Sequence, residues 1–431
     1  AVSGYEEPLR EQILSILRDT QSDSVLGKRG GVHLLAADQM GAQLRRGIEA
    51  AAHVVLSDDH LTLREMLDQA LETRLPPPRF DPGLAPAYDP VPEFDRPSDL
   101  LFDNGYGGFD RQTGDYVIHL TPGTHTPAPW CNVLANDDFG CLVSEAGFGT
   151  SWSINAGEHR LTPWSNDPVA NTPGEVLYLR DEANGDVWTT TPAPMGHDAT
   201  CQIRHGAGET MWRQNSHGLE QEILTFVPVD WAVKIVRLRL TNRSGRHRRV
   251  SATYYAEWLL GALGSVARPH LTSLYDDALK AVIAYNKWNP DFGSGIAFLT
   301  ASADPHSVTG DRQDFLGRDG SVHDPDGLRG WDLGGRFTPG GDACAAYQVY
   351  LDIAANNTVD VIFALGEAAN EGSLQTGIRR WKDPAEADHA LHTLRATWNK
   401  RLGALQVKTS DLAFDLMINR WLPYQNRSSR I

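Results

Sequence analysis

Between residues 116 and 368 the sequence is a succession of short apolar runs separated by turn-forming residues. In the run VRLRLTN (236–242), apolar side chains alternate with Arg237, Arg239 and Thr241, which is the period of a strand with one buried face. A dozen such runs follow one another without an intervening helical pattern. Because strands of this kind pair antiparallel and bury one face by stacking, the chain is predicted to be mainly β, with a large antiparallel β-sandwich.

Two of these runs, 231–242 and 248–260, are joined by the segment NRSGRHR and predict the clearest hairpin of the chain. The connection carries a basic cluster, for which a solvated turn is favoured over an anion-binding patch. The chain has 39 Lys and Arg residues against 55 Asp and Glu residues, a formal net charge of −16. Such a charge repels polyanions, so no nucleic-acid partner is expected.

The N-terminal part has a different pattern. Residues 1–75 predict a helical connecting segment, because apolar residues recur three and four positions apart, notably within 36–56 and 61–75. A proline-rich linker over 76–100 follows, since proline holds the backbone extended and cannot enter a helix interior. The sandwich is therefore predicted to occupy residues 101–370.

Helical patterns return after the sandwich. A helix is predicted over 383–403, where Asp383 can cap the first turn and Pro384 suits the first helical position. A further helix is predicted to begin within 410–431, where apolar residues again recur at helical spacing.

Residues 303–342 are rich in Asp and Gly and interrupt the strand pattern. The acidic residues lack the spacing and the terminal glutamate of an EF-hand, so a solvated loop is favoured over a calcium site. Because long ordered loops often build sites, the segment GDRQDFLGR (310–318) is a candidate wall of a substrate site.

Residues 126–171 combine three tryptophans, Trp130, Trp152 and Trp164, with many amide, hydroxyl and acidic side chains. Indole faces stack on the C–H groups of sugar rings, while polar side chains hydrogen-bond the sugar hydroxyls. The stretch is therefore typical of a carbohydrate-binding surface. The alternative is that the tryptophans fill the sandwich core and the polar residues form turns.

The run TPAPWCNVLANDDFGCLVSEAGFGTSWSINAGEHRLTPWSNDPV, with GEVLYLRDEANGDVWTTTPAP (174–194), resembles the glycoside phosphorylases of glycoside hydrolase family 94. Within that family it is similar to the phosphorylase-like C-terminal part of cyclic β-1,2-glucan synthases and to β-1,2-oligoglucan phosphorylases. The resemblance runs from about Leu101 to the C-terminus. It implies a super-sandwich domain, a helical linker over 371–406, and over 407–431 the first helix of a truncated (α/α)6 barrel.

The barrel-start motif of the family is matched by Trp421, Tyr424 and Gln425. In the family, an aspartic acid of the barrel protonates the glycosidic oxygen, and inorganic phosphate attacks the anomeric carbon with inversion. The resemblance places these residues beyond Ile431, so no catalytic residue is assigned and the chain alone is expected to be inactive. Phosphate would be a co-substrate, and neither a cofactor nor a metal is expected.

The resemblance implies phosphorolysis of β-1,2-glucan to α-glucose 1-phosphate, or control of chain length in cyclic β-1,2-glucan synthesis. The partners would be a β-glucan oligosaccharide and phosphate, with a possible homodimer. An alternative is a non-catalytic carbohydrate-binding, scaffold or dimerisation module. A plain hydrolase would need two carboxylates flanking one cleft, and the sequence offers no such pair.

In the family, the sandwich lends a loop to the rim of the active site, and the matching segment is 151–167. We expect Arg160 to hydrogen-bond sugar hydroxyls, Trp164 or Trp152 to stack on a ring, and Asn155 to add a polar contact. The alternative is a structural arginine that pairs with one of two acidic residues of the same loop, Glu158 or Asp167.

The four cysteines lack zinc-binding spacing and are expected to be free, buried thiols in a reducing compartment. No apolar run reaches about 18 residues, so no membrane span is predicted in this chain, although a full-length parent could be membrane-anchored. A cytoplasmic location is expected, with the parent on the cytoplasmic side of the inner membrane.

Overall fold

The computed structural model describes residues 7–20, 26–28, 31–35, 39–52, 64, 77–81, 83, 87–196, 198–338 and 341–430. The chain divides into two compact units, Ala1–Leu71 and Glu72–Ile431. The first unit contains α1 (Glu7–Asp19) and α2 (Ala42–Ala51), which lie within the segment predicted to be helical. The helix predicted over 61–75 falls, apart from residue 64, outside the described residues.

The second unit is built on three antiparallel sheets. The strands are β1 (Gly107–Phe109), β2 (Tyr116–Leu120), β3 (Cys131–Ala135), β4 (Phe139–Ser144), β5 (Gly147–Ser153), β6 (Glu175–Asp181), β7 (Val187–Thr189), β8 (Cys201–His205), β9 (Glu209–Ser216), β10 (Leu219–Phe226), β11 (Val233–Asn242), β12 (Arg248–Glu257), β13 (Thr272–Asp276), β14 (Ala281–Tyr285), β15 (Ile296–Ala301), β16 (Ser307–Asp311), β17 (Ala343–Ile353) and β18 (Thr358–Ala368). A ten-stranded sheet has the order β1-β2-β8-β9-β10-β11-β18-β15-β14-β13, a five-stranded sheet the order β16-β17-β12-β6-β7, and a three-stranded sheet the order β3-β4-β5. The predicted mainly β fold of large antiparallel sheets is confirmed.

The main core lies between the ten-stranded sheet and the two smaller sheets. Along β11, Val236, Leu238 and Leu240 are fully buried in this core, while Arg237 and Arg239 face the other side of the sheet and are half-buried. The alternation read from the sequence therefore assigns the buried face correctly. Burial of such a continuous apolar face is the main source of stability for a sandwich.

Helices cover the outer face of the ten-stranded sheet. These are α5 (Glu371–Trp381) and α6 (Pro384–Leu402), which pack on the apolar side chains of the sheet, with Trp381 fully buried. The Asp383 side chain accepts a hydrogen bond from the backbone N–H of Ala385, and Pro384 takes the first helical position. Both predictions for this helix start are confirmed.

The last segment is also helical. It comprises α7 (Leu412–Leu416), a π-helical turn (Met417–Trp421) and α8 (Leu422–Ser428). Two short α-helices, α3 (Gly264–Ala267) and α4 (Arg312–Leu316), lie in connections between strands. Among the described residues, none of the helices combines the length and the hydrophobicity needed to cross a bilayer.

The predicted hairpin is wrong. Strand β11 pairs with β10 and β18 in the ten-stranded sheet, whereas β12 pairs with β6 and β17 in the five-stranded sheet. The connection therefore crosses between sheets, and the Asn242 amide fastens it to the carbonyls of Arg246, Ile353 and Ala354. A hairpin and such an arch share the same local pattern, because distant strands decide which edges are available for pairing.

The prediction of a solvated loop over 303–342 is also wrong. This insertion contains β16 and α4, and its apolar side chains pack on the outer face of the five-stranded sheet. Phe315 and Leu316, from the segment 310–318 proposed as a substrate wall, are buried there. The aspartates and glycines give the insertion its turns, and a few apolar residues among them fix its position.

All four cysteines are free, as expected. Cys141, Cys201 and Cys344 are buried, whereas Cys131 is exposed, which corrects the expectation that every thiol is buried.

Candidate functional site

The segment predicted to contact sugar forms a loop that leaves β5 and returns along its edge. The backbone N–H of Leu161 donates to Ser151 O at 2.8 Å, and Gly261 N donates to Arg160 O at 3.0 Å. The returning part of the loop is thus held between β5 and the segment that follows β12. The tip, residues 154–158, is exposed.

A buried carboxylate anchors both ends of this loop. Glu175 Oε1 accepts hydrogen bonds from the hydroxyls of Ser151 (2.6 Å) and Thr162 (2.9 Å). Glu175 Oε2 accepts from the Tyr254 hydroxyl at 2.6 Å and pairs with the Lys234 ammonium. Burial alone would raise the pKa of Glu175, but the charge of Lys234 and these donors hold the pKa below its ordinary value.

The indole of Trp152 is buried, with 8% of the residue exposed. It covers Gly140, where an added Cβ would lie 2.3 Å from the ring. A buried indole has no free face for a sugar, so the prediction of a stacking platform does not hold for Trp152. Trp164 is 46% exposed, and the predicted stacking interaction therefore rests on this residue.

The polar residues of the loop have distinct positions. Asn155 is exposed, and its Oδ1 accepts from the backbone N–H groups of Gly157 and Glu158, which closes the turn at the tip. Arg160 is half-buried, and its Nη2 donates to Gly157 O at 3.4 Å. Among the described residues Arg160 has no carboxylate partner, so the alternative of an ion pair within the loop is wrong.

An open pocket of about 230 Å³ lies beside this loop. Its lining includes Glu158 from the loop tip, together with Asn286, Trp288 and Phe292 from the connection between β14 and β15. Trp288 is 44% exposed and stacks in parallel on His270 with ring centroids 4.4 Å apart. This connection lies outside the stretch 126–171 and was not predicted to contribute to a site, although its run NKWNPDFG also combines aromatic and turn-forming residues.

The floor of the pocket is connected to the core. Phe292 stacks in parallel on His159 at 4.5 Å, and His159 Nε2 lies 2.7 Å from the carboxylate of Glu367 on β18. Both members of this pair are almost fully buried. The buried His159–Glu367 pair therefore supports the ring of Phe292, which lines the pocket.

The residues that match the barrel-start motif form a second region, where α8 meets β3. The Tyr424 hydroxyl donates to Asn132 Oδ1 at 2.7 Å, and Tyr424 is 2% exposed. Trp421 packs edge-on against Phe109 and Tyr116. Gln425 is half-buried on the same helix. Tyr424 and Trp421 thus dock the last helix onto the sandwich, and neither faces the loop described above.

A chain of hydrogen bonds continues from Tyr424 into the sheet. Asn132 Nδ2 donates to Thr210 Oγ1 at 3.0 Å, and Thr210 Oγ1 lies 3.0 Å from Nδ1 of His205. The other ring nitrogen of His205 lies 3.1 Å from the carbonyl of Trp130. Burial lowers the pKa of His205 to about 4, so the ring is neutral, with Nε2 as the donor to Trp130.

We expect the Tyr424→Phe variant to be less stable by about 1–3 kcal/mol, because the buried Asn132 Oδ1 loses its donor. The midpoint of urea denaturation measures the effect. Tyr285→Phe is the control, since Tyr285 is half-buried and its hydroxyl makes no hydrogen bond to the described residues. Equal midpoints for the two variants would contradict the role assigned to Tyr424.

The described part of the chain contains no group of three or more His, Cys, Asp or Glu side chains that could hold a metal ion.

Comparison with known proteins gives a consistent picture. The family described as "Glycosyl hydrolase 94, supersandwich domain" matches residues 114–384. A curated relative, cyclic beta-(1,2)-glucan synthase NdvB of Rhizobium meliloti (strain 1021), is 37% identical over 335 residues, covering 77% of this chain and 12% of the synthase. N,N'-diacetylchitobiose phosphorylase of Vibrio furnissii is 27% identical over 329 residues, covering 74% of this chain and 40% of the phosphorylase.

The chain thus spans well under half the length of these relatives. Among solved structures, a putative aldose 1-epimerase from Escherichia coli K12 aligns with a TM-score of 0.35 and 9% identity, covering 56% of this chain and 99% of the epimerase.

Proposed function

Because this chain belongs to glycosyl hydrolase family 94, whose supersandwich domain it contains, we propose that it forms the sandwich part of an inverting β-glucan phosphorylase-type enzyme. The reaction would be phosphorolysis of β-1,2-glucan to α-glucose 1-phosphate. The observation that carries the proposal is the similarity over most of the sandwich to a cyclic β-1,2-glucan synthase. Inorganic phosphate is the co-substrate, and no other cofactor is required.

In this proposal the loop 151–167 contacts the glucan. Trp164 offers an exposed indole face on which a pyranose can stack. The Arg160 guanidinium is free to donate to sugar hydroxyls, because no carboxylate among the described residues pairs with it. Asn155 keeps its amide nitrogen for a ligand, while its oxygen closes the turn.

The proposal assigns no general acid to this chain. Phosphorolysis needs a protonated acid at the leaving oxygen and room for phosphate at the anomeric carbon. The conspicuous acids of the 126–171 stretch have other partners. Glu145 is buried and accepts from the Trp130 backbone N–H at 2.6 Å, Asp167 caps a turn through Val169 N, and Asp137 pairs with Arg427.

Two further roles are compatible with the structure. In a cyclic glucan synthase, phosphorolytic trimming by this region would set the chain length before ring closure. A non-catalytic scaffold or dimerisation module is favoured by the exposed apolar side chains of the last helices, Leu412, Phe414 and Leu422, since such side chains normally pack against a partner.

We further propose a cytoplasmic location, where phosphate is available and the free thiols stay reduced.

The proposal is tested by incubating β-1,2-glucan with the 431 residues alone and with a longer protein that joins them to an (α/α)6 barrel of the family, each with and without inorganic phosphate. We expect α-glucose 1-phosphate to be released only when the barrel and phosphate are both present. Cellobiose and N,N'-diacetylchitobiose serve as comparison substrates and are expected to react poorly. Release of free glucose without phosphate would instead indicate hydrolysis and would overturn the proposal.

Trp164→Ala is expected to raise the apparent KM for β-1,2-glucan about tenfold with little change in kcat, because stacking contributes binding in the ground state and the transition state alike. Initial rates of glucose 1-phosphate release provide both constants. Val169→Ala is the matched control, since Val169 is 93% exposed in the following turn. An unchanged KM for Trp164→Ala would remove this residue from the substrate contacts.

A further inference from the structure

We infer that His159 and Glu367 form a positioning pair, which holds the tip of the loop (residues 154–158) on the sandwich and thereby orients the Arg160 guanidinium towards the glucan. The inference rests on the proposed function only for the identity of the ligand. Both side chains are almost fully buried, so the pair acts through the tip and Arg160 and does not itself touch the ligand.

The His159 backbone closes the tip of the loop. Its N–H donates to Asn155 O at 2.9 Å, and its carbonyl accepts from Ser153 N at 3.1 Å. The side chain of the same residue points away from the tip. Its Nε2 lies 2.7 Å from Glu367 Oε1, and its ring stacks on Phe292 with planes that differ by 7°. His159 therefore joins the tip both to β18 and to the connection between β14 and β15.

The Glu367 carboxylate has a fixed place beneath this ring. Glu367 pairs with Ala297 of β15, and its side chain is 7% exposed. The carboxylate fills the space above Gly295, where an added Cβ would lie 2.3 Å from Glu367 Oε1. Among the described residues, His159 is the one that hydrogen-bonds this carboxylate, and a buried carboxylate without a donor is costly. The carboxylate therefore determines where the His159 ring lies.

The tip has a backbone conformation that needs such support. Ile154 has a φ of 63°, in the left-handed region, although it is β-branched and 65% exposed. A residue of this kind is strained there and keeps the conformation only where neighbouring contacts impose it. The Asn155 side chain then closes the turn through the N–H groups of Gly157 and Glu158. The position of the tip is therefore sensitive to the contacts of His159.

The tip in turn orients Arg160. The Arg160 backbone is fixed by Gly261, through Arg160 N to Gly261 O at 3.3 Å and Gly261 N to Arg160 O at 3.0 Å. The guanidinium depends on the tip instead, because Nη2 donates to Gly157 O at 3.4 Å. Its Nε is buried without a hydrogen-bond partner among the described residues. A displaced tip would therefore turn the guanidinium and leave the backbone of Arg160 in place.

Hydrogen exchange of the tip amides tests the pair without a ligand, in the 431-residue protein. Gly295→Ala forces the Glu367 carboxylate away from His159, and Glu367→Ala removes it. Both are expected to speed exchange in residues 155–159 at least about tenfold. Glu367→Gln keeps an acceptor for His159 and should exchange like the unaltered protein. Gly245→Ala is the matched control, since an added Cβ there meets nothing within 4 Å.

The amides of β12, in the five-stranded sheet, provide the internal reference. We expect their exchange to be unchanged in Gly295→Ala, because the pair holds the tip and not the core. Tip exchange equal to that of the unaltered protein would overturn the inference. Equal acceleration in the tip and in β12 would also overturn it, since the pair would then support the whole fold rather than position the loop.

Kinetics of the longer protein that includes the barrel measure the consequence for the glucan. Gly295→Ala is expected to raise the apparent KM for β-1,2-glucan about fivefold, the effect of one lost hydrogen bond, with little change in kcat. In an Arg160→Ala background the same substitution should have no further effect, because the pair acts through Arg160. Independent, additive effects of the two substitutions would contradict this route.

These readouts separate the positioning pair from the proposed function. Hydrogen exchange reports the tip in the absence of glucan, whereas release of glucose 1-phosphate measures the reaction. Phosphorolysis with unaltered tip exchange in Gly295→Ala would overturn the positioning pair alone. Faster tip exchange in Gly295→Ala without phosphorolysis by the longer protein would overturn the proposed function and leave the pair in place.

Discussion

Lys234→Met is expected to destabilise the protein by about 3–5 kcal/mol, because it leaves the Glu175 carboxylate charged in the core without its counter-ion. Glu175 and Lys234 are each 1% exposed. The hydroxyls of Ser151, Thr162 and Tyr254 would remain as donors, but hydrogen bonds alone do not replace an opposite charge at this depth. The shift of the urea denaturation midpoint measures the loss.

Arg243→Met is the control for removing one member of an ion pair. Arg243 and Glu220 form a bidentate pair at 2.7 Å on the surface, where both side chains are substantially exposed. Exposed pairs contribute about 0–1 kcal/mol, so this variant is expected to be close to the unaltered protein. If both variants lost the same small amount, the buried pair would not have the role assigned to it.

The double variant Lys234→Met with Glu175→Gln is expected to recover part of the stability. Gln keeps an acceptor for the hydroxyl donors and carries no charge, so the desolvation of an unpaired carboxylate is avoided. A double variant less stable than Lys234→Met would contradict the electrostatic origin of the effect. Because Glu175 also anchors both ends of the loop, the Lys234→Met variant should bind glucan more weakly even where it remains folded.

The same pair determines a response to acid. The pKa of Glu175 is lower in the folded protein than the ordinary value of 4.5, so the folded state favours the charged form. The stability that this group contributes is fully present above the unfolded pKa and is lost as the pH falls through the folded pKa. The Glu175 contribution is therefore lost at a pH below 4.5, the ordinary pKa of this group.

Acidification from pH 6.5 to pH 4 is expected to cost about 3 kcal/mol of stability through His205 alone. Burial lowers the pKa of His205 from 6.5 to about 4, and each unit of difference corresponds to about 1.36 kcal/mol. Since the folded pKa is the lower one, the unfolded chain takes up the proton first. Stability is therefore full above pH 6.5 and decreases as the pH falls towards the folded pKa.

Unfolding by urea across this pH range tests the prediction, with His205→Gln as the variant. Its amide can hydrogen-bond as the neutral ring does but cannot take up a proton, so the variant should lose less stability on acidification. His247→Gln is the matched control, because the His247 side chain is 58% exposed. An identical pH dependence in all three proteins would show that His205 does not titrate as its burial requires.

Protonation of His205 should also weaken the docking of the last helix on the sheet. A protonated His205 presents an N–H at Nδ1, where it now faces the Thr210 hydroxyl, and that hydroxyl also accepts from Asn132. Asn132 in turn holds Tyr424. Acid sensitivity at a histidine of the sheet is thus coupled to the docking of the segment that matches the barrel-start motif.

Local sequence was sufficient to predict the elements of the fold. The alternation in β11 identified its buried face, and Asp383 with Pro384 marked the start of α6. The buried face of a strand follows from the alternation of its side chains, and a helix start follows from residues that pair with its unpaired backbone N–H groups. Both depend only on residues that are close together in the sequence. The long motif around Trp164 was likewise enough to identify the family.

The tertiary structure decided where those elements meet. Trp152 and Trp164 belong to one motif, yet packing buries the first beneath β4 and leaves the second exposed. The Glu175–Lys234 pair joins two residues that are 59 positions apart in the sequence, and Trp288 enters the candidate site from a connection that the motif does not contain.

The strands β11 and β12 separate into different sheets although they are adjacent in sequence. Burial and strand pairing depend on which distant surfaces become neighbours, and a local pattern carries no information about that choice. Side-chain periodicity, capping residues and one long motif were therefore enough to predict the strands, the helix starts and the family, whereas long-range packing selects which side chains face a ligand.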